Sequence, residues 1–170
     1  RPVNRLDKNT SGIVIFAKNE YIQECLVRQM KACLFKKKYI AICEGKFEHE
    51  EAIINAPIGR KENSIIERCV SPDGETSITE YKVLMYNETS NYSIVKCNLK
   101  TGRTHQIRVH MSYIGHPILG DTLYGNPSNL IQRQALHSYK VEFIHPISRE
   151  EVTFSTELPS DMQFLAKVAK

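Results

Sequence analysis

The chain has 170 residues, a length that suits one domain whose core is large enough to fold without disulfides or a structural metal. Its five cysteines are scattered and form no Cys-x-x-Cys pair, which argues against a secreted disulfide framework and predicts reduced thiols in a cytoplasmic protein. The formal net charge of +4 permits a polyanionic partner, and no segment predicts a membrane span or a signal peptide.

In the first part of the chain, hydrophobic periodicity predicts strands around one helix. The apolar run at 12–18 predicts a buried strand, and helical spacing over 19–35 predicts a helix with Asn19 as its N-cap. Alternation over 37–46 predicts a second strand. The segment 50–59 predicts a third strand, which ends at a Pro-Ile-Gly sequence.

Turn signals predict two hairpins in the middle of the chain. The strand-like segments 64–70 and 76–86 flank a Pro-Asp-Gly turn at 71–75, where proline fixes φ and glycine supplies a positive φ. A second hairpin is predicted across the polar stretch 87–91, which leads into the strand 92–100.

The last part of the chain predicts two helices and a further hairpin. The segment 101–115 predicts a helix with Thr104 as its N-cap and Gly115 just past its end. A Gly- and Pro-rich loop follows, and the remaining predicted elements are two strands and a terminal helix that begins at Ser160: 135–146, 150–156 and 160–170. These elements together predict one mixed domain rich in antiparallel strands.

Basic residues gather in two regions of the sequence. On charge patterning alone, such clusters fit a solvated helix face as well as they fit a polyanion-binding surface. The clusters comprise Arg28, Lys31, Lys36, Lys37 and Lys38, and then Lys100, Arg103, Arg108 and Arg133.

The common signatures of metal, nucleotide and serine-hydrolase sites are absent from the sequence. The histidines have no partner at the i, i+4 spacing of a helical metal site, and no cysteine lies at ligand spacing to them. No phosphate-cradling loop, dinucleotide fingerprint or Gly-x-Ser-x-Gly elbow occurs. We therefore expect no metal and no cofactor.

Asp7 and Arg108 remain as candidates for chemistry. Asp7 lies in "NRLDKNTSG", just before an apolar run, and spacing alone favours an ordinary turn residue that accepts backbone N–H groups. Arg108 interrupts an apolar helical stripe, and the corresponding plain interpretation is an arginine whose stem covers the core while its head reaches water.

Four motifs in order resemble the RluA family of pseudouridine synthases. They are "RLDKNTSGIVIFAK", "KKYIAICEG", "GRTHQIRVHMSYIGHPILGDTLYG" and "LHSYKVEFIHP", and they cover essentially the whole chain. The resemblance implies an α+β fold over residues 1–170, with a mixed, largely antiparallel sheet that is flanked by helices and crossed by a cleft. It also implies an RNA-modifying isomerase that needs no cofactor.

The resemblance assigns roles by position. Asp7 matches the family's essential catalytic aspartate, and Arg108 matches the arginine that pairs with it. Tyr39 matches the tyrosine that stacks on the flipped base and is proposed as a base. Arg5 matches the residue that enters the RNA stack where the target base has left, and Leu136 matches the apolar residue beneath the pocket.

Three further residues of the third motif are expected to contact the substrate. On the same resemblance, they are Arg103, His105 and Gln106 of "GRTHQIR".

The chemistry of the reaction suits these residue types. Uridine becomes pseudouridine when the C1′–N1 bond breaks and the ring rebonds through C5, with no redox change. A carboxylate must be ionised whether it attacks or abstracts a proton, and a neighbouring cation favours the ionised form in a buried site. Arginine keeps its charge when buried. The target base must also leave the helical stack before it can react.

Two departures from the family pattern bear on these expectations. Family members usually have histidine where this chain has Asn4, and we expect that change to affect packing or RNA contacts more than chemistry. The family's upstream segment does not precede Arg1, so we expect an uncovered sheet edge and a weaker enzyme than one with that segment restored.

Three functional classes remain after this comparison. The favoured one is an RNA pseudouridine synthase acting in the cytoplasm on ribosomal RNA, with transfer RNA as the alternative target. The second is a catalytically idle RNA-binding fragment, and a glycosidase is a distant third because Asp7 has no obvious second carboxylate beside it. We expect a monomer unless the exposed sheet edge pairs with another chain.

Overall fold

A seven-stranded mixed sheet organises the fold of this protein. The computed structural model describes residues 1–168 and contains nine strands and three helices within that range. The strands are β1 (Ser11–Gly12), β2 (Lys36–Glu44), β3 (Glu51–Asn55), β4 (Ile58–Arg60), β5 (Arg68–Val70), β6 (Ile78–Asn87), β7 (Tyr92–Leu99), β8 (Leu136–Ile144) and β9 (Glu151–Ser155). The helices are α1 (Glu20–Lys31), α2 (Gln106–Tyr113) and α3 (Ser160–Val168).

Strand β2 lies in the interior of the sheet. The strand order is β1-β8-β2-β7-β6-β3, and β9 pairs with the second half of β8. Only the short β1–β8 pair is parallel among these ladders. The α+β class and the mixed, largely antiparallel sheet predicted from the sequence are confirmed.

The three helices bury apolar faces against this sheet. Helix α1 begins where predicted, because the Asn19 side chain accepts a 2.9 Å hydrogen bond from the Ile22 N–H. Its Leu26 packs in a small core with the stacked rings of Phe35 and Phe143. The main core takes residues from the other two helices: Ile107, Met111, Met162 and Leu165.

The predicted strand at 12–18 is wrong over most of its length. Of this range only Gly12 lies in an assigned strand, β1, because the backbone that follows bonds mainly to the start of the chain. The Val3 N–H donates to the Ile15 carbonyl and the Ala17 N–H to the Arg1 carbonyl, each at 2.8 Å. The Asn4 Oδ1 accepts from the Ile15 N–H at 2.8 Å, and its amide donates to the Ile13 carbonyl at 3.2 Å. The Asn4 side chain thus supplements backbone bonds between residues 1–3 and 15–17, which form only an isolated bridge between Pro2 and Phe16.

Two other boundaries differ from prediction for identifiable reasons. The strand predicted over 50–59 is split into β3 and β4 at Pro57, which has no N–H for a ladder. The Pro-Asp-Gly turn does not join a hairpin, because β5 pairs with β4 while β6 pairs with β3 and β7. The hairpins across 87–91 and between β8 and β9 are confirmed.

The predicted helix ends are confirmed in part. Helix α1 stops at Lys31, four residues before the predicted end at 35. The N-cap of α2 is His105, in the left-handed region with φ 57°, and not Thr104. Gly115 follows the C-cap with φ 85°, as predicted. The final two residues of the predicted helix 160–170 lie outside the described residues.

Gly12 is required where β1 meets β8. Its φ is 120°, and an added Cβ would lie 2.2 Å from the Ser138 carbonyl oxygen, so a larger residue would force the two strands apart.

We expect Gly12→Ala to destabilise the protein far more than Gly115→Ala. Gly115 also has a positive φ, but nothing lies within 4 Å of its added Cβ. Its alanine variant should therefore show only backbone strain, about 1 to 2 kcal/mol. Urea unfolding of both variants measures the difference, and equal losses of unfolding free energy would show that the β1–β8 contact is not needed for stability.

Candidate active site

A cavity of about 320 Å³ lies where the Asp7 loop, β2 and the start of α2 meet. Asp7, Tyr39 and Leu136 all line it, although they are far apart in the sequence. Asp7 is the single acidic residue in the lining, and three cationic residues share it: Arg5, Lys37 and Arg103. The cavity therefore presents one carboxylate and three cationic side chains in a wall that also contains many apolar residues.

Hydrogen bonds from the segment before β8 hold the Asp7 loop. The Thr10 N–H donates to the Asp7 carbonyl at 3.0 Å, which closes a turn with Asn9 at φ 68°. The Gln134 side-chain amide donates to the Lys8 carbonyl and to the Thr10 hydroxyl. A turn thus begins at Asp7 through its main-chain carbonyl, but no backbone N–H among the described residues donates to its carboxylate, and Asp7 lines the cavity.

Arg133 and Ser11 add further ties to the same loop. The Arg133 guanidinium donates to the Asn9 carbonyl at 3.2 Å and forms a bidentate ion pair with Asp161 on α3. Ser11 Oγ lies 2.9 Å from His137 Nδ1 on β8. The loop is therefore fixed to both the sheet and the terminal helix.

Arg108 faces two carboxylates at different distances. Its Nη1 lies 3.9 Å from Asp7 Oδ2, so the structure brings these two residues together across about a hundred positions of sequence. Its closer partner is Asp121, to which Nε and Nη2 each donate at 2.7 Å. Arg108 lies behind the cavity and does not line it.

Asp121 is the residue of the candidate site that sequence reasoning missed. It is 1% exposed, and its Oδ1 also accepts from the N–H groups of Leu123 and Tyr124 at 3.1 and 3.3 Å. The preceding Gly120 has φ 74°, which allows the sharp turn. Asp121 lies in the glycine-bounded sequence "GDTLYG", which predicts a loop and does not by itself indicate a buried ion pair.

Tyr124 connects Arg108 to His105. Its ring lies 5.0 Å from the Arg108 guanidinium carbon, a distance typical of a cation–π contact. Its hydroxyl lies 2.7 Å from His105 Nδ1 and accepts from the Arg68 N–H at 2.9 Å. Burial lowers the pKa of His105, and Asp7 partly opposes that shift, so His105 is neutral at neutral pH.

Tyr39 borders the cavity as a neutral phenol. Burial raises its pKa to about 12, the negative charge of Asp7 adds to this shift, and the Ser138 hydroxyl opposes it. The side chain is 6% exposed. At neutral pH a base role for Tyr39 would thus require removal of a strongly held proton.

The remaining sequence-predicted residues take different positions. Arg5 is exposed at the cavity rim, while Arg103 lines the cavity and pairs with Glu75. Gln106 is buried, and its amide makes four hydrogen bonds to the protein. His105 is behind the cavity with Arg108.

The described residues contain neither a metal-binding cluster nor a membrane-spanning helix. Within 1–168, no group of three or more His, Cys, Asp or Glu side chains could hold a metal ion. No helix in that range has the length and apolar character that crossing a membrane requires.

The sequence matches the family model described as RNA pseudouridylate synthase over residues 1–113. That match covers more than half of the chain. The chain belongs to this family. The cavity that contains Asp7 and Tyr39 is built by residues of the matched region, and Leu136 is the one lining residue from beyond it.

Individual relatives and a solved structure agree with this assignment. The chain is 47% identical to "Uncharacterized RNA pseudouridine synthase YjbO" of Bacillus subtilis (strain 168), covering 97% of this chain and 58% of that protein. It is 38% identical to "Ribosomal large subunit pseudouridine synthase D" of Zymomonas mobilis, covering 98% of this chain and 55% of that protein. The structure of human RNA pseudouridylate synthase domain containing 1 matches with a TM-score of 0.80 and 26% identity, over 99% of this chain and 79% of that one.

The chain spans little more than half the length of these curated relatives. The family membership and the fold are therefore properties of this chain, and the activity of the whole protein is a proposal.

We expect Asp121→Asn to destabilise the fold by about 3 to 5 kcal/mol, because it leaves the Arg108 charge buried without its closest counter-ion. Asp73→Asn is the matched control, since Asp73 is exposed and should change stability by less than about 0.5 kcal/mol. Urea unfolding compares the two. A loss for Asp121→Asn no larger than that of the control would show that the buried pair does not stabilise the fold.

Proposed function

We propose that this chain is the catalytic part of an RNA pseudouridine synthase, which isomerises uridines in structured RNA. One observation carries the proposal. The Asp7 carboxylate lies in a cavity bordered by Tyr39, with the Arg108 guanidinium 3.9 Å behind it. The family membership supplies the reaction class, and simple RNA binding would need no charge-paired carboxylate at the base of a cavity.

The reaction is a rearrangement in which no atom is gained or lost. The C1′–N1 bond breaks, the uracil turns, C1′–C5 forms, the C5 proton leaves and N1 gains a proton. Asp7 is placed to act on the ribose as a nucleophile or as a base, and both roles need its negative charge. Arg108 favours that charge without direct hydrogen bonding, because its short bonds go to Asp121.

The cavity must receive a base that has left its helical stack. Unstacking costs a few kcal/mol, which stacking on an aromatic ring offsets in part. Tyr39 is the aromatic residue that lines the cavity, and Leu136 lies in the same wall. Arg5, exposed at the rim, is placed to fill the gap left in the RNA.

We propose ribosomal RNA as the substrate. The support is the Zymomonas mobilis relative, whose name specifies the large ribosomal subunit. The reaction would then take place in the cytoplasm, where ribosomal RNA of bacterial cells is made.

We expect Asp7→Asn to bind RNA normally and to lose product formation on the order of a thousandfold or more, because it keeps size and removes the charge. The measurement is single-turnover conversion of a transcribed, unmodified large-subunit ribosomal RNA, with pseudouridines mapped chemically. The protein is the full-length one, and Asp73→Asn serves as the control.

Two results would contradict the proposal for Asp7. Product from a clean Asp7→Asn preparation at the wild-type rate would remove Asp7 from the chemistry. No product from the wild-type protein on ribosomal or transfer RNA would favour the idle RNA-binding alternative.

We expect ionisation of Tyr39 to contribute almost no pH dependence to the single-turnover rate between about pH 6.5 and 8.5. A phenol whose pKa is about 12 stays protonated throughout that range. If the phenolate were the reactive form, its fraction and the rate would rise about tenfold per pH unit. Rates measured at saturating RNA distinguish the two, and a tenfold rise per unit that is absent in Tyr39→Phe would assign Tyr39 as the base.

A further inference from the structure

Three consecutive lysines at the start of β2 have three different surroundings. Lys36 is exposed, and Lys38 pairs with Glu142 at 2.8 Å. Lys37 lies on the same face of the strand as Tyr39, two residues away, and both line the catalytic cavity. The strand alternation thus directs one lysine of the three at the proposed substrate.

Lys37 carries a charge that the protein does not neutralise. In the part of the chain that the structure describes, its ammonium makes no ion pair and no hydrogen bond. Burial lowers its pKa, and no carboxylate, not even Asp7, opposes that shift. A half-buried cation without a counter-ion is costly to the free protein, and an anionic ligand would offset that cost.

The backbone next to Lys37 leaves room for this ammonium. Gly102 has no side chain, and a Cβ placed there would lie 2.7 Å from Lys37 Nζ. Gly102 belongs to the "TGRTHQ" segment that enters α2, so the amine is held between β2 and that segment at the cavity wall.

A second cavity, of about 380 Å³, adjoins the first at Lys37. The two linings share five residues: Met30, Lys37, Leu99, Gly102 and Arg103. The second cavity contains no acidic residue in its lining and has four cationic ones: Lys31, Lys37, Lys100 and Arg103. A basic trough therefore leads away from Asp7, and Lys37 lies at the junction.

We propose that Lys37 binds a backbone phosphate of the RNA strand beside the reactive uridine, where the strand passes from the catalytic cavity into the second cavity. This inference rests on the proposed function, because it assumes that RNA occupies the catalytic cavity. The neighbouring cations are less available, since Arg103 pairs with Glu75 and Lys100 with Glu80.

The test compares Lys37→Met with Lys36→Met in the full-length protein, using the same unmodified ribosomal RNA transcript. We expect Lys37→Met to weaken RNA affinity about 5- to 10-fold near 0.1 M salt and to reduce the slope of log K against log salt by about 0.7 to 0.9, as loss of one phosphate contact does. Lys36→Met should leave both unchanged, and Lys37→Arg should retain the slope.

A stability measurement separates binding from a structural role. Removing an uncompensated buried charge should leave the melting temperature of Lys37→Met equal to or above that of the wild type. A structural lysine would lower the melting temperature, and a lower melting temperature with unchanged salt slope would overturn the proposal. Chemical acetylation of the lysines of the wild-type protein, measured by mass spectrometry, tests the contact without a variant. Bound RNA should protect Lys37 from acetylation and leave Lys36 reactive.

Inorganic phosphate distinguishes the source of the anion. Phosphate is added at 10 mM, a concentration on the order of weak anion affinities. If it protects Lys37 from acetylation while Lys37→Met binds RNA with unchanged affinity, Lys37 is a free-phosphate site and the RNA contact is overturned. If the wild type binds RNA with Lys37 protected but forms no pseudouridine, the proposed function fails while the phosphate contact stands. If the enzyme forms pseudouridine but Lys37→Met and Lys36→Met bind RNA with equal affinity and equal salt slope, the phosphate contact fails while the proposed function stands.

Discussion

The buried ion pair between Arg108 and Asp121 is the interaction on which the site depends. Both side chains are almost fully removed from water, and two parallel 2.7 Å hydrogen bonds join them. Separating them would leave an uncompensated charge in the interior, which is strongly unfavourable. The pair therefore fixes the orientation of the guanidinium on α2, and with it the position of the one remaining edge that points at Asp7.

The loop that carries Asp7 is held by polar contacts and by the packing of Leu6 against the main core. It receives hydrogen bonds from Arg133 and Gln134, and it enters the sheet at Gly12, where only glycine fits beside Ser138. A loop placed by backbone contacts can keep a charged side chain at a cavity wall without burying it in the core. This arrangement fits the need of a catalytic group for fixed direction and for access to substrate.

Local patterns made much of the fold predictable from sequence. The Asn19 cap, the alternation of β2 and the polar turn at 87–91 each act within a few residues, and each was identified correctly. The prediction of a strand at 12–18 failed because that backbone bonds to residues 1–3 and to the Asn4 side chain rather than continuing along β8. The end of that strand depends on a contact between segments, which periodicity does not encode.

The candidate site was predictable to a similar degree. The family resemblance assigned Asp7, Tyr39 and Arg108, and the structure brings them to one region. The resemblance did not reveal that the short hydrogen bonds of Arg108 go to Asp121. A partner thirteen positions away across a loop leaves no signal in the spacing of the sequence. The protonation of Tyr39 also depends on burial, which single-sequence reasoning does not provide.

The division of Arg108 between two carboxylates has a chemical consequence. If Asp7 took both short hydrogen bonds, its lone pairs would be engaged and its reactivity towards a ribose would fall. Asp121 takes those bonds instead and leaves Asp7 at 3.9 Å from the third nitrogen, close enough for a favourable field but beyond a hydrogen bond. The neutral His105 adds no competing cation beside Asp7. The Asp7 carboxylate thus has a cation beside it that does not occupy its oxygens with short hydrogen bonds, which suits either proposed role of this residue.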